Sequence, residues 1–188
     1  MQTAAILLVL VSVTSCARAR DAERTEGVVQ AAVLDSLFVR DTTRQLVVGD
    51  STVSGGNHYV DEDYASALRI LGRLPDGVRA DFEAKRSKSR RVDSLFAKVP
   101  MQRFTTVERE RMRREGNPTL YWHAFYRRFP GSPGLVRVSR VGFSRDGASA
   151  LMLVDYGCGG LCGGTVYVLL AYQSGRWRVV RTAQTRVS

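Results

Sequence analysis

The chain has 188 residues, enough for one domain with a sizeable core. Its apolar fraction of 44% and charged fraction of 24% exclude a disordered or fibrous chain, and no apolar run reaches the roughly 18 to 20 residues that a spanning helix needs. The formal charge of +10 is almost all arginine, since only Lys85, Lys88 and Lys98 among 28 basic residues are lysine; these charges are spread thinly and follow no helix-turn-helix, RNP-like or zinc-finger spacing, so no nucleic-acid partner is expected.

Residues 1–15 carry no charge, and Ala4 to Val13 form a short apolar block with the length of a signal-peptide h-region. The block runs into Val13-Thr14-Ser15-Cys16. An aliphatic residue, two small residues and a cysteine resemble the lipobox of bacterial lipoproteins. That resemblance implies removal of residues 1–15 and a lipid on Cys16. No Lys or Arg precedes the apolar block, a departure from the usual pattern, and an ordinary secretory signal is the competing reading. Ala17 rather than Asp follows the cysteine, which in Gram-negative lipoproteins implies the periplasmic side of the outer membrane. Residues 16–26 then read as a lipidated tether and residues 27–188 as a single domain.

From Gly27 to Val39 the residues Val28, Val29, Ala32, Val33, Leu37 and Phe38 recur near helical spacing and predict a first helix. Arg44 to Gly49 is a short strand candidate, followed by turn chemistry through Asn57. Asp61, Glu62 and Asp63 are read as the acidic start of a helix over Tyr64 to Gly72 rather than as a catalytic carboxylate cluster. Pro75-Asp76-Gly77 opens a further helix, Val78 to Lys88, anchored by Phe82. Val92, Leu95, Phe96 and Val99 form a short apolar patch, and Thr105 reads as an N-cap. Trp122, Phe125, Tyr126 and Phe129 lie at helical spacing and are expected to dock on a sheet rather than to line a ligand box.

From Leu135 the period changes. Leu135 to Phe143, Ala148 to Tyr156, Thr165 to Gln173 and Arg176 to Ala183 read as four strands joined by Asp146-Gly147, a glycine-cysteine loop and Ser174-Gly175. The expected fold is therefore α+β, with N-terminal helices packed on a C-terminal antiparallel four-stranded meander.

The loop Gly157-Cys158-Gly159-Gly160-Leu161-Cys162-Gly163-Gly164 is the most distinctive stretch. Outside the cytoplasm, Cys158 and Cys162 are the one pair left for a disulfide once Cys16 is lipidated. A redox-active pair would want C-x-x-C at a helix start, and structural zinc would want four ligands, whereas His58 and His123 are isolated; no metal site is expected. The loop lacks the lysine and the following helix of a phosphate-binding loop. Taken with Gly142-Phe143, Tyr167-Val168-Leu169-Leu170 and Gly175-Arg176-Trp177, it resembles a group of exported bacterial proteins of uncharacterised activity that share a glycine-cysteine hairpin. The upstream Trp122-x-x-Phe125-Tyr126-x-x-Phe129-Pro130 and the stretch from Val39-Arg40-Asp41 to Asp50-Ser51-Thr52 extend the resemblance over roughly residues 30–188. It implies a fold and a compartment, and brings no catalytic residue or cofactor.

No G-x-S-x-G, S-x-x-K or H-E-x-x-H is present. The sequence thus favours a lipid-anchored envelope protein that binds an envelope protein or glycan, or plays a structural part, without catalysis. The alternative is an extracytoplasmic hydrolase or transferase with its site between the helices and the sheet. A polar pocket of converging ionisable groups would discriminate the two.

Overall fold

A computed structural model of the chain describes residues 25–38, 45–54, 58–92, 97–114 and 116–187. The signal, Cys16 and the tether as far as residue 24 lie outside the described residues, as do residues 39–44, Gly55, Gly56, Asn57, Leu95 and Phe96. Among the described residues the chain forms 5 helices and one seven-stranded sheet. In chain order these are α1 (residues 25–38), β1 (Leu46–Gly49), α2 (His58–Leu71), α3 (Val78–Arg86), β2 (Met101–Phe104), α4 (Thr106–Arg113), α5 (Pro118–Arg128), β3 (Leu135–Val138), β4 (Gly142–Phe143), β5 (Ser149–Gly159), β6 (Cys162–Gln173) and β7 (Arg176–Val187).

The strand order is β2-β1-β3-β5-β6-β7, with β4 paired to β5. β1 runs parallel to both β2 and β3, and every other pair is antiparallel. The architecture is α+β, but the expected four-stranded meander is only the larger part of a mixed seven-stranded sheet. Two physical reasons account for the difference. β2 buries only Phe104 fully, so Met101-Gln102-Arg103-Phe104 shows no alternating pattern, and its partner β1 lies across a long crossover. Leu135 to Phe143 is broken in two because Ser139 enters the ladder with its side chain: its amide donates to the Leu153 carbonyl at 2.9 Å, while the Leu153 amide donates to Ser139 Oγ at 2.8 Å. The helices are also not all N-terminal to the strands, since α4 and α5 fall between β2 and β3.

Alternation along the strands gives the sheet two apolar faces. On one face α1 buries Val29, Val33 and Leu34 against Val48, Val136, Val138, Met152, Val154, Val168 and Leu170. Polar contacts lock this helix in place. Buried Glu26 receives Arg140 Nε and Nη2, each at 2.8 Å, and Gln30 Nε2 donates to the Ser139 carbonyl at 2.8 Å. Glu26, which its charge placed in the tether, is therefore part of the packed domain: a carboxylate is buried here because a two-pronged guanidinium meets it.

The opposite face carries two separate apolar clusters. α2 and α3 cover Leu151, Leu153, Tyr167 and Leu169 with Tyr64, Ala67, Leu71, Val78 and Phe82. α3 approaches β4 so closely that a Cβ on Gly142 would lie 2.5 Å from Phe82 Cα and Cβ, which only glycine permits. Further along, α5 sets Phe125 and Phe129 on Phe104, Val47 and Leu135, in edge-on and tilted aromatic contacts. This is the docking expected of the aromatic stripe. α4 begins with a capping box between Thr105 and Glu108, and α5 with Asn117 capping ahead of Pro118. α2 starts at His58, ahead of the expected Asp61, so Asp63 lies inside the helix.

Candidate functional site

Between the two apolar clusters the same face of the sheet turns polar. Arg137 on β3 is in register with Asp155 on β5, Asp155 with Thr165 on β6, and Thr165 with Arg186 on β7. The four side chains form one row across four adjacent strands, because cross-strand partners share a face. A bulge in β7 makes the row complete. Val166 pairs with Gln184 and Thr165 with Arg186, so Thr185 is the extra residue that turns Arg186 towards the helices.

Arg137 donates through Nε to Asp155 Oδ2 at 3.0 Å and through Nη2 to the same oxygen. The Thr165 hydroxyl donates to the other oxygen, Oδ1, at 3.4 Å. Asp63, from α2, reaches Arg186 Nε at 3.8 Å. Arg137 also crosses β1 at Gly49, where a Cβ would stand 3.3 Å from its Cγ; the missing side chain gives the arginine stem its path.

Above the row lies a cleft of about 170 Å³. Its charged lining is Asp63, Arg86, Arg137, Asp155 and Arg186, and Phe82, Leu153 and Tyr167 form its apolar base. Three guanidinium groups thus face two carboxylates. The Arg86 guanidinium lies over the Tyr64 ring, 4.8 Å from its centroid, and that ring packs on Phe82 and Tyr167. Burial, and secondarily the Glu83 carboxylate, push the Tyr64 phenol up to about 12, so it is neutral at physiological pH.

Cationic charge continues on the α4 side of Arg137. Arg109 is half-buried, and burial followed by the neighbouring Arg137 guanidinium lowers its pKa from the usual arginine value. Burial raises the Tyr121 phenol, against the opposing charges of Arg109, Arg137 and Arg113. Asp50, whose charge acts on Arg109, is engaged at the start of α4, where Oδ1 accepts from the Thr106 amide at 2.9 Å and the Thr106 hydroxyl at 2.7 Å.

The two cysteines singled out in the sequence are not among the residues that line this cleft. Cys158 and Cys162 stand at disulfide distance, with Cα atoms 5.0 Å apart, across the hairpin between β5 and β6. The Tyr126 hydroxyl donates to the Cys158 carbonyl at 2.8 Å and ties the hairpin to α5, while Leu161 at its tip is 90% exposed. Of the expected helix-start acids Asp63 lines the cleft, and the side chain of Asp61 lies outside the described residues. His123 is exposed on α5, and the side chain of His58 lies outside the described residues. Among the described residues no three His, Cys, Asp or Glu side chains are grouped to hold a metal ion, and no helix is long and apolar enough to cross a membrane.

Arg137, Asp155, Thr165 and Arg186 were missed by sequence reasoning, although one signal was present. Asp155 is the lone charge in β5, a strand with neighbours on both sides, and a charge there needs a partner on an adjacent strand. No protein-family model, curated protein or solved structure matches this chain.

Proposed function

We propose that this chain is a lipid-anchored bacterial envelope protein, held through Cys16 on the periplasmic side of the outer membrane, that binds an envelope component in the cleft above the Arg137–Asp155–Thr165–Arg186 row. The lipobox-like Val13-Thr14-Ser15-Cys16 supports the anchor, and the Cys158–Cys162 pair at disulfide distance supports an oxidising compartment. The resemblance to exported proteins with a glycine-cysteine hairpin points the same way. The observation that carries the binding role is the charged row itself: sheet register presents ionisable side chains at the floor of a cleft.

Binding is favoured over catalysis because these groups are already engaged with one another. Asp155 is held by Arg137 and by the Thr165 hydroxyl, and Ser139 Oγ is engaged by the Leu153 amide and the Arg140 carbonyl. The second reading, an extracytoplasmic hydrolase or transferase, is favoured by one contact, the Thr165 hydroxyl 3.4 Å from Asp155.

Two measurements test the proposal. Palmitate labelling and membrane fractionation of the full chain should show a labelled, membrane-bound protein, and Cys16→Ser should abolish both; unlabelled wild-type protein would sink the anchor. Thermal-shift screening against envelope extracts should find a stabilising fraction whose effect is lost in Arg137→Gln. Turnover of an ester, glycoside or phosphoester substrate that Thr165→Val abolishes would transfer the assignment to the enzyme reading.

A further inference from the structure

Two features of the cleft bear on what it holds. The first is charge. Arg86, Arg137 and Arg186 outnumber Asp63 and Asp155 in the lining, and Arg109 and Arg113 stand behind Arg137 with Asp50 already engaged by α4. The half-buried Arg109 guanidinium is repelled by Arg137 and Arg113, and an anion placed beside Arg137 relieves that repulsion.

The second is donor geometry. Arg137 meets Asp155 with Nε and Nη2 only, one edge of the fork, and both bonds end on a single carboxylate oxygen. The pairing fixes the plane of the guanidinium and leaves the two Nη1 hydrogens for a second acceptor. Arg86 is oriented in turn by the Tyr64 ring beneath it. Three arginines presented from β3, α3 and β7 suit a group with three or four acceptor oxygens better than a planar carboxylate with two. A cleft of about 170 Å³ has room for such a group and a small substituent.

We propose that the cleft binds a phosphoryl group, with the Nη1 edge of Arg137 as its central donor and the Arg86 and Arg186 guanidinium groups flanking it. This rests on the cleft being the ligand site. The phosphoryl group comes either from a soluble phosphate compound or from an anionic lipid headgroup, since the envelope presents both.

Isothermal titration of the full-length protein in nonionic detergent separates these sources. One arm uses inorganic phosphate and the other a short-chain phosphatidic acid, whose phosphomonoester keeps three terminal oxygens. Saturable binding in either arm is expected, and the arm in which it appears names the source. Arg137→Gln should weaken it by about ten-fold or more, the loss expected for a charge-assisted hydrogen bond. Arg127→Gln removes an equal charge from an exposed turn of α5 and should change nothing. If Arg137→Gln fails to fold by circular dichroism, Arg86→Gln takes its place with the same expectation. No binding in either arm, or equal weakening by Arg127→Gln, overturns the phosphoryl assignment. A neutral glycan that binds wild-type protein and not Arg137→Gln, with phosphate inert, overturns this inference alone and leaves the cleft as the ligand site.

Discussion

The row across the sheet predicts a measurable coupling between Arg137 and Asp155. Their side chains are 35% and 26% exposed, so the pair lies between a surface ion pair and a buried one. At about 4 Å and an effective dielectric near 20, the gross attraction is about 4 kcal/mol, and desolvation and side-chain ordering offset much of it. Exposed pairs retain about 0.2 to 1 kcal/mol, whereas breaking a buried pair costs about 3 to 5 kcal/mol. We expect a coupling of about 1.5 kcal/mol. Asp155→Ala removes the anchor of Arg137 and the acceptor of Thr165 while leaving Arg109 nearby, and should cost about 2.5 kcal/mol. Arg137→Met keeps most of the stem that lies over Gly49, leaves Asp155 with Thr165, and should cost about 2 kcal/mol. The double variant should then cost about 3 kcal/mol rather than the sum of the two. Urea unfolding followed by circular dichroism on all four proteins measures this. Costs that add to within about 0.5 kcal/mol would show that the two side chains do not meet, and the row would lose its central link.

Three further outcomes follow from other parts of the fold. Tyr64 is raised from its ordinary 10.0 to about 12, so the folded chain keeps a proton that the unfolded chain loses; stability should be complete below about pH 10 and fall by roughly 3 kcal/mol as pH rises towards 12. Urea midpoints across that range should show the decline, and Tyr64→Phe should make it shallower, leaving the part due to Tyr121 and Tyr126; equal slopes in both proteins would refute the assignment. Gly142→Ala drives a methyl into the Phe82 backbone and should destabilise by about 3 kcal/mol, so a variant that melts with wild type would contradict the packing of α3 on β4. Cys158 and Cys162 should resist alkylation until reductant is added, and the Cys158→Ser/Cys162→Ser variant should lose about 2 kcal/mol; immediate labelling of both by mass spectrometry would remove the hairpin clasp.

The parts of the fold legible in the sequence are those where local preference and tertiary packing agree. β5, β6 and β7 are long, rich in β-branched and apolar residues, and separated by glycine turns, so period and punctuation coincide. The Phe125 and Phe129 stripe of α5 was legible for the same reason. β2 was not, because Met101-Gln102-Arg103 shows no alternation and its pairing with β1 follows from distant chain. Glu26 read as tether because its partner, Arg140, is far away in sequence. The cleft was hidden twice over. Its residues come from four strands and two helices, and register alone gathers them. Arg186 in addition lay past Ala183, where the strand was expected to end, and only the bulge at Thr185 turns it to this face.

The side-chain Nε–H resonance of Arg137, followed by nitrogen-15 NMR while inorganic phosphate is added to the full-length protein, reports most directly on the cleft. A saturable shift is predicted at Arg137, with the exposed Arg127 unmoved, since sheet register aims Arg137 into the cleft. An Arg137 signal that stays still, or one that moves no more than Arg127, would mean that no phosphoryl group binds at Arg137, and the phosphoryl assignment would fall.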